Sequence, residues 1–210
     1  MRTDELIAAL SRNVAPVPPR AAEKRLSAAS LGALAAASMV VLLAYGARDL
    51  TGAAFATGLK AALVVGLLVA AAPFALAAAR PATRLKGVAT PLVVGVAASA
   101  LGAVVATALA PSGGRAEALF QGGLPPCLFQ IPIAAAPAAV LVFWAVRSLG
   151  PTRHAMAGVA AGALSGVLAA LAYAVHCQMD SAAYVLAWYP AAIVLCAAVG
   201  ALLGPRVLHW

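Results

Sequence analysis

Six long apolar runs, separated by short polar gaps, dominate the pattern of residues along the chain. A helix needs about 20 apolar residues to cross the hydrocarbon core of a bilayer, and each of the six runs reaches that length. The pattern therefore predicts an all-α polytopic membrane protein, in which residues 27–210 form a bundle of six transmembrane helices. The predicted spans are residues 27–46, 55–79, 87–110, 128–146, 155–175 and 182–203.

A polar segment, residues 1–26, precedes the first span and is predicted to lie in the cytoplasm. Residues 3–13 predict a short helix, because a threonine can cap its N-terminus and two acidic residues follow in the first turn, where the helix dipole favours negative charge. Three apolar side chains would share one face of this helix. Pro16, Pro18 and Pro19 then predict an extended spacer. The helix residues that could reach a partner are Thr3, Asp4, Glu5, Leu6, Ile7 and Leu10.

This N-terminal helix needs something to cover its apolar face, since a helix of about ten residues is marginal in water by itself. It could lie on the lipid headgroups or against other loops of the chain. It could equally dock in a groove of a soluble partner. The residues alone leave both possibilities open.

The composition agrees with the predicted spans and excludes a soluble protein. Hydrophobic residues make up 64% of the chain and charged residues only 10%, with a mean hydropathy of +0.99, whereas a soluble domain is nearer half apolar and a quarter charged. The formal net charge is +8. Because the basic residues lie in the gaps between spans and form no aromatic-interleaved patch, no direct contact with nucleic acid is expected.

Lys and Arg residues set the expected orientation, because they concentrate on the cytoplasmic side of membrane proteins. With the N-terminus inside, eleven of the fourteen lie in cytoplasmic segments, and only Arg48, Lys60 and Arg115 lie on the opposite side. The chain is therefore predicted to be a multi-pass protein of a bacterial inner membrane with both termini in the cytoplasm. A cleaved signal peptide is disfavoured, since about 26 polar residues precede a first apolar run that is longer than a signal peptide needs.

Two of the three cysteines, Cys127 and Cys177, are predicted to lie on the non-cytoplasmic side at similar depth. As free thiols they could bind a soft metal ion, with His176 as a third ligand, or react with an oxidant, with His176 and Asp180 assisting. A plain disulfide in an oxidising compartment, or two unrelated buried thiols, would explain them as well. Cys196 lies in the middle of the last span and is expected to be a small buried hydrophobe.

Other chemistry is sparse in the sequence. No ionisable residue is expected near the middle of the membrane, where a transporter usually needs one, and Lys60 is expected to extend its ammonium group to the interface. The sequence contains no nucleophile–base set, zinc-protease motif or phosphate-binding loop, so neither an enzyme nor a cofactor is expected. A small transporter or channel-like protein is the alternative to a signalling role, and a purely structural membrane scaffold is a third possibility.

Several segments of the chain resemble the NrsF family. They are MRTDELI at residues 1–7, PTR at 151–153, YAVHCQMDS at 173–181, WY at 188–189 and LGPRVLHW at 203–210. Members of that family are six-span inner-membrane anti-sigma factors, which hold an extracytoplasmic-function sigma factor inactive at the membrane. The resemblance covers essentially the whole chain and implies the same fold and partner here.

The resemblance also implies roles for particular residues. The cytoplasmic segment of residues 1–26 would contact the sigma factor through the helix residues named above. Cys127 and Cys177 match the family's cysteine pair and would sense a stress, such as a heavy-metal ion or an oxidant, whereas Cys196 matches nothing in the family pattern. Modification of the pair would then change how the fourth and fifth spans pack and release the sigma factor.

Overall fold

Helices joined by short connections make up the part of the chain that the computed structural model describes, which is residues 3–11, 18, 20–49, 51–81 and 83–209. No strand occurs within these ranges, which confirms the predicted all-α class. A π-helical turn, Val41–Tyr45, continues α2, and a 3₁₀ turn, Ser112–Gly114, precedes α5. The α-helices are α1 (Thr3–Ser11), α2 (Ala21–Val40), α3 (Ala54–Ala79), α4 (Lys86–Leu109), α5 (Arg115–Phe120), α6 (Cys127–Arg147), α7 (His154–Tyr173) and α8 (Ala182–Val207).

Six of these helices, α2 with its π turn, α3, α4, α6, α7 and α8, are long and apolar enough to cross a membrane, which is consistent with a multi-pass membrane protein. Most of their ends agree with the predicted spans to within a few residues. The largest difference is at α2, which begins at Ala21 because a helix continues beyond the apolar stretch that hydropathy detects. In this added turn, Glu23 forms an ion pair with Arg80, at 3.3 Å. Helix α5 was not predicted, since six residues are too few to give a periodic signal.

Helix α7 lies at the centre of the bundle and contacts α2, α3, α6 and α8. Fifteen of its twenty residues are buried, whereas only three of the twenty-four residues of α4 are buried. Large apolar side chains are exposed on the outward faces of the other spans, as expected for surfaces that meet lipid rather than water. Examples are Leu43, Val69, Val93, Leu109 and Trp144.

Close contact between α7 and α8 depends on small residues that face each other. The sequence places Gly158, Gly162 and Gly166 on one face of α7, which predicts close helix packing, and the structure confirms it. A Cβ atom added to Gly158 would lie 2.1 Å from the carbonyl oxygen of Gly200 in α8. One added to Gly200 would lie 2.2 Å from the carbonyl oxygen of Gly158. The two backbones therefore touch directly along what we call the glycine seam.

The spans alternate in direction, so the bundle has two distinct ends. At the terminal end, α2 begins and α8 ends, and the Glu23–Arg80 pair bridges α2 to the end of α3. At the cysteine end, residues 46–49 after the π turn meet the connection between α7 and α8, where the Arg48 N–H donates to the Val175 carbonyl at 3.0 Å. Cys127, Cys177, His176 and Asp180 all lie at the cysteine end.

The predicted N-terminal helix is present as α1 and lies entirely exposed. None of its residues is buried, and Leu6, Ile7 and Leu10 are 43%, 60% and 66% exposed. Two features predicted for this region, the end of the helix at residue 13 and the spacer prolines at 16 and 19, fall outside the described residues. The division of the chain at residue 26 stays a prediction.

Candidate functional site

Cys127 occupies the first residue of α6, directly after Pro125 and Pro126. Its side chain is fully buried. The thiol donates a hydrogen bond to the hydroxyl oxygen of Tyr184, with 3.3 Å between Sγ and Oη. Tyr184 lies in the first turn of α8 and is itself fully buried, so this thiol joins the beginnings of two spans inside the protein.

Cys177 lies in the connection between α7 and α8 and is also buried, with 3% of its surface exposed. Its backbone N–H donates to the Tyr173 carbonyl at 3.1 Å, which continues the last turn of α7. Its thiol points back toward its own loop and lies 3.8 Å from the Met179 carbonyl. The hydroxyl of Tyr189, in α8, is buried and has no hydrogen-bond partner among the described residues.

Cys127 and Cys177 are both buried at the cysteine end, and Tyr173 connects them: its carbonyl accepts the Cys177 N–H, and its hydroxyl donates to Gln130, one turn after Cys127 in α6. Both thiols are free, as is that of Cys196. Cys196 lies apart from this pair, in the middle of α8, where it packs on the glycine seam. A Cβ atom at Gly166 would lie 2.8 Å from the Cys196 Cβ.

Tyrosines surround the cysteine pair, and their role was not predicted. All four tyrosines of the chain belong to this cluster. The ring of Tyr173 lies 6.4 Å from that of Tyr45 and 6.1 Å from that of Tyr189, and its hydroxyl donates to the Gln130 side-chain oxygen. A signal for this cluster was present in the sequence, because every tyrosine lies in the half of a predicted span that is nearer the cysteines.

His176 stacks against this tyrosine cluster rather than pointing at the thiols. Its ring centre is 5.3 Å from that of Tyr173 and 5.5 Å from that of Tyr45. Its Nδ1 lies 2.9 Å from the Gly46 carbonyl oxygen, which places a proton on that nitrogen. Gly46 follows the π turn with a φ of +79°, a conformation that favours glycine. His176 thereby joins the end of α2 to the cysteine-bearing connection.

Asp180 lies between two cations. The Nη1 and Nη2 atoms of Arg48 donate hydrogen bonds to the two carboxylate oxygens, at 2.8 Å and 3.0 Å. The Lys60 Nζ lies 2.7 Å from one of these oxygens. The Arg48 hydrogen bonds, supported by the Lys60 charge, hold the pKa of Asp180 well below its usual range. The aspartate is therefore ionised at neutral pH, and its charge offsets the two cations beside it.

Lys60 departs from the sequence-based expectation. It was expected to extend to the interface, but its side chain is only 1% exposed. Its ammonium group turns inward, where it donates to the Cys177 carbonyl at 2.8 Å as well as to Asp180. The reason is that Asp180, remote in sequence, supplies the counter-charge that makes burial of the ammonium group favourable.

The structure does not bring the suggested metal ligands Cys127, Cys177 and His176 into one binding group. Among the described residues, no set of three His, Cys, Asp or Glu side chains is arranged to hold a metal ion. The imidazole of His176 is engaged with Gly46 and the carboxylate of Asp180 with two cations. What the site offers is a pair of buried thiols enclosed by tyrosines, with an ion cluster beside one of them.

Comparison with known proteins assigns the chain to a family. The family model described as "Negative regulator of sigma F", NrsF, matches residues 10–210. A probable anti-sigma-F factor NrsF from Azospira oryzae is 38% identical over 84 residues, which cover 40% of this chain and 39% of the relative. An anti-sigma-F factor NrsF from Caulobacter vibrioides is 31% identical over 84 residues, with the same coverage.

The matched stretch thus spans about two fifths of each of these curated relatives. No solved structure matches the chain. The family model, by contrast, extends over nearly the whole sequence, including every helix from α2 to α8 and the complete cysteine end. The chain therefore belongs to the NrsF family.

Proposed function

We propose that this protein is a membrane-bound anti-sigma factor. It sequesters a sigma factor of the extracytoplasmic-function class through its cytoplasmic N-terminal segment and releases it when stress modifies Cys127 and Cys177. It lies in a bacterial inner membrane with both termini in the cytoplasm, as the distribution of Lys and Arg favours. Membership of the NrsF family and the names of two relatives as anti-sigma-F factors support a regulator of this kind, which performs no catalysis.

The observation that carries the proposal is the exposure of α1. Leu6, Ile7 and Leu10 share one face of the helix, and each has more than two fifths of its surface exposed. An amphipathic helix with an uncovered apolar face is suited to docking in a groove of a partner. Asp4 and Glu5 in the first turn would add attraction to a basic surface beside that groove.

Co-purification of the sigma factor with the full-length membrane protein tests this docking. Replacement of Leu6 and Leu10 by Asp should reduce the recovered sigma factor at least tenfold, because two charges would enter an apolar contact. Ala8→Asp is the matched control, since residue 8 lies on the opposite face of α1 and is also exposed. Equal recovery with the double variant and with the control would refute docking through this face.

The sensing half of the proposal depends on the buried thiol pair. Cys127 joins α6 to α8, and Cys177 lies between α7 and α8, so a metal ion bound by both thiols, or a disulfide between them, would pull on three spans. Such coupling requires two states of the bundle with different contacts to the sigma factor. Helix α2 is suited to carry the change, since it runs from the tyrosine cluster to the terminal end.

A sigma-dependent reporter tests this half with Cd²⁺ and diamide as probes of metal and oxidant stress. Cys127→Ser and Cys177→Ser should each abolish induction, while Cys196→Ser should leave it intact, because that buried cysteine packs on the glycine seam in the middle of α8. Induction that persists in the Cys127→Ser, Cys177→Ser double variant would remove the sensor role. Loss of induction by Cys196→Ser alone would point instead to general destabilisation.

A further inference from the structure

The backbone of Cys177 is fixed by the same two cations that hold Asp180. Its carbonyl oxygen accepts one hydrogen bond from the Lys60 Nζ and another from the Arg48 Nη1, each at 2.8 Å. Both lone pairs of the oxygen are therefore used. We call the three side chains Arg48, Lys60 and Asp180 the clasp.

The clasp joins three separate parts of the chain. Arg48 follows the π turn at the end of α2, Lys60 lies in the second turn of α3, and Asp180 stands two residues before α8. A backbone hydrogen bond from Arg48 to Val175, at 3.0 Å, and the contact between His176 and Gly46 fix the same connection on its other side. Residues 175–180 are thus held at both ends, with the Cys177 thiol between them.

Asp180 is the member on which the others depend. The Lys60 side chain is 1% exposed and that of Arg48 is 11% exposed, whereas Asp180 is 40% exposed. A buried ammonium group without a counter-charge is strongly unfavourable, so loss of the aspartate charge would force Lys60 out of its site or draw water into it. Displacement of Lys60 removes a hydrogen bond from the Cys177 carbonyl, and water in the site competes for that bond, so either change loosens the loop that covers the thiol.

We propose that Arg48, Lys60 and Asp180 are positioning residues that keep the Cys177 thiol closed to solvent. The clasp sets how readily reagents reach this thiol, and thereby the threshold at which the sensor responds. This inference rests on the proposed function for its physiological meaning but not for its physical test. Asp180 does not contact the modifying agent. It acts by fixing the position of the loop that contains Cys177.

Thiol accessibility in membrane vesicles tests the clasp directly. In a Cys127→Ser, Cys196→Ser background, where Cys177 is the one thiol left, a charged maleimide should label the parent slowly and the Asp180→Asn variant at least tenfold faster. Asp180→Glu, which keeps the charge, should restore most of the protection. Asp49→Asn is the matched control, because that nearby carboxylate bonds to Thr51 and should not affect Cys177.

Labelling of a second thiol, Cys196, distinguishes opening of the clasp from general unfolding. In a Cys127→Ser, Cys177→Ser background, the buried Cys196 should stay protected in the Asp180→Asn variant, since the glycine seam lies away from the clasp. If Cys196 also labels faster in that variant, the Cys177 measurement uses Arg48→Gln instead of Asp180→Asn. The Arg48→Gln variant leaves Lys60 paired with Asp180. Cys177 labelling within twofold of the parent, in a variant that keeps Cys196 protected, overturns the proposal.

The sigma-dependent reporter distinguishes failure of the clasp from failure of the proposed function. If both hold, Asp180→Asn in the otherwise native chain responds to Cd²⁺ or diamide at lower concentration than the parent, by about the factor seen in labelling. Faster labelling with a reporter that never responds to either probe upholds the clasp and refutes the sensor. Unchanged labelling with a normal response upholds the sensor and refutes the clasp.

Discussion

The two ends of the bundle differ in how many buried contacts stabilise them. At the cysteine end, Arg48 and Lys60 converge on one carbonyl and one carboxylate, and tyrosines from three spans pack around two thiols. At the terminal end, the Glu23–Arg80 pair spans 3.3 Å between side chains that are both more than two fifths exposed. Beyond it, α1 carries no buried residue.

This difference separates two tasks that a signalling protein must combine. A detecting site has to be ordered, so that one chemical change alters many contacts at once. A binding element that must let go of its partner benefits from having few contacts with its own protein. Here the ordered end contains the thiols, the open end contains the amphipathic helix, and the glycine seam runs between the two.

The largest loss of stability is expected from a substitution in the glycine seam, because the seam connects the two ends of the bundle. Gly158→Ala would place a methyl group 2.1 Å from a backbone oxygen of α8, so the helices must separate. We expect a loss of about 2–3 kcal/mol in stability, as for other overpacked sites. Thermal unfolding in detergent, followed by circular dichroism, measures it.

Gly66→Ala is the control for this change, since a Cβ atom there meets nothing within 4 Å. Alanine favours a helix over glycine by about 1 kcal/mol, so this variant should be unchanged or slightly more stable. A Gly158→Ala protein as stable as Gly66→Ala would show that the seam is not tightly packed.

A carboxylate-to-amide change at each end compares the two ends directly. Asp180→Asn leaves the buried ammonium group of Lys60 without its counter-charge, and we expect it to cost about 2 kcal/mol, less than for a fully buried pair because Asp180 is 40% exposed. Glu23→Gln breaks an exposed pair and should cost less than about 0.5 kcal/mol. Equal melting temperatures for the two variants would contradict the proposed contrast.

The smallest expected effect lies inside the tyrosine cluster. Tyr184→Phe removes the acceptor of the Cys127 thiol and should cost about 0.5 kcal/mol, because a thiol is a weak donor. Tyr189→Phe removes a buried hydroxyl that has no hydrogen-bond partner among the described residues, so stability should be unchanged or rise by about 1 kcal/mol. Chemical denaturation in mixed micelles can resolve the sign. A larger loss from Tyr189→Phe than from Tyr184→Phe would mean that the Tyr189 hydroxyl is bonded after all.

Hydropathy was sufficient to predict the spans, because a helix in lipid must be apolar along its whole length. It could not predict the beginning of α2, where Glu23, Lys24 and Arg25 are helical but polar. The spacing of three glycines in α7 predicted close packing correctly, although the partner helix could not be identified from spacing alone.

The site was only partly predictable. Cys127 and Cys177 could be placed on one side of the membrane from the order of the spans, and their common burial needed the structure. The clasp could not be foreseen, because Arg48 and Asp180 stand 132 residues apart and Arg48 lies in none of the segments that carry the family resemblance. Lys60 was placed at the interface because a charge near the end of a span usually reaches water, and only the packing of α3 against the α7–α8 connection reversed that expectation.

The π turn at Val41–Tyr45 has a consequence for how the gene can change. It closes with the Gly46 N–H bonded to the Val41 carbonyl at 3.0 Å, five residues back, so it accommodates one residue more than an α-helical turn. Each residue added to or removed from α2 rotates everything before it by about 100° relative to everything after it. A deletion here could keep Ala33 and Ala37 in the core or Tyr45 on its aromatic partners, but not both. Insertions and deletions are therefore the changes that α2 can tolerate least, even at outward positions where apolar substitutions would pass unnoticed.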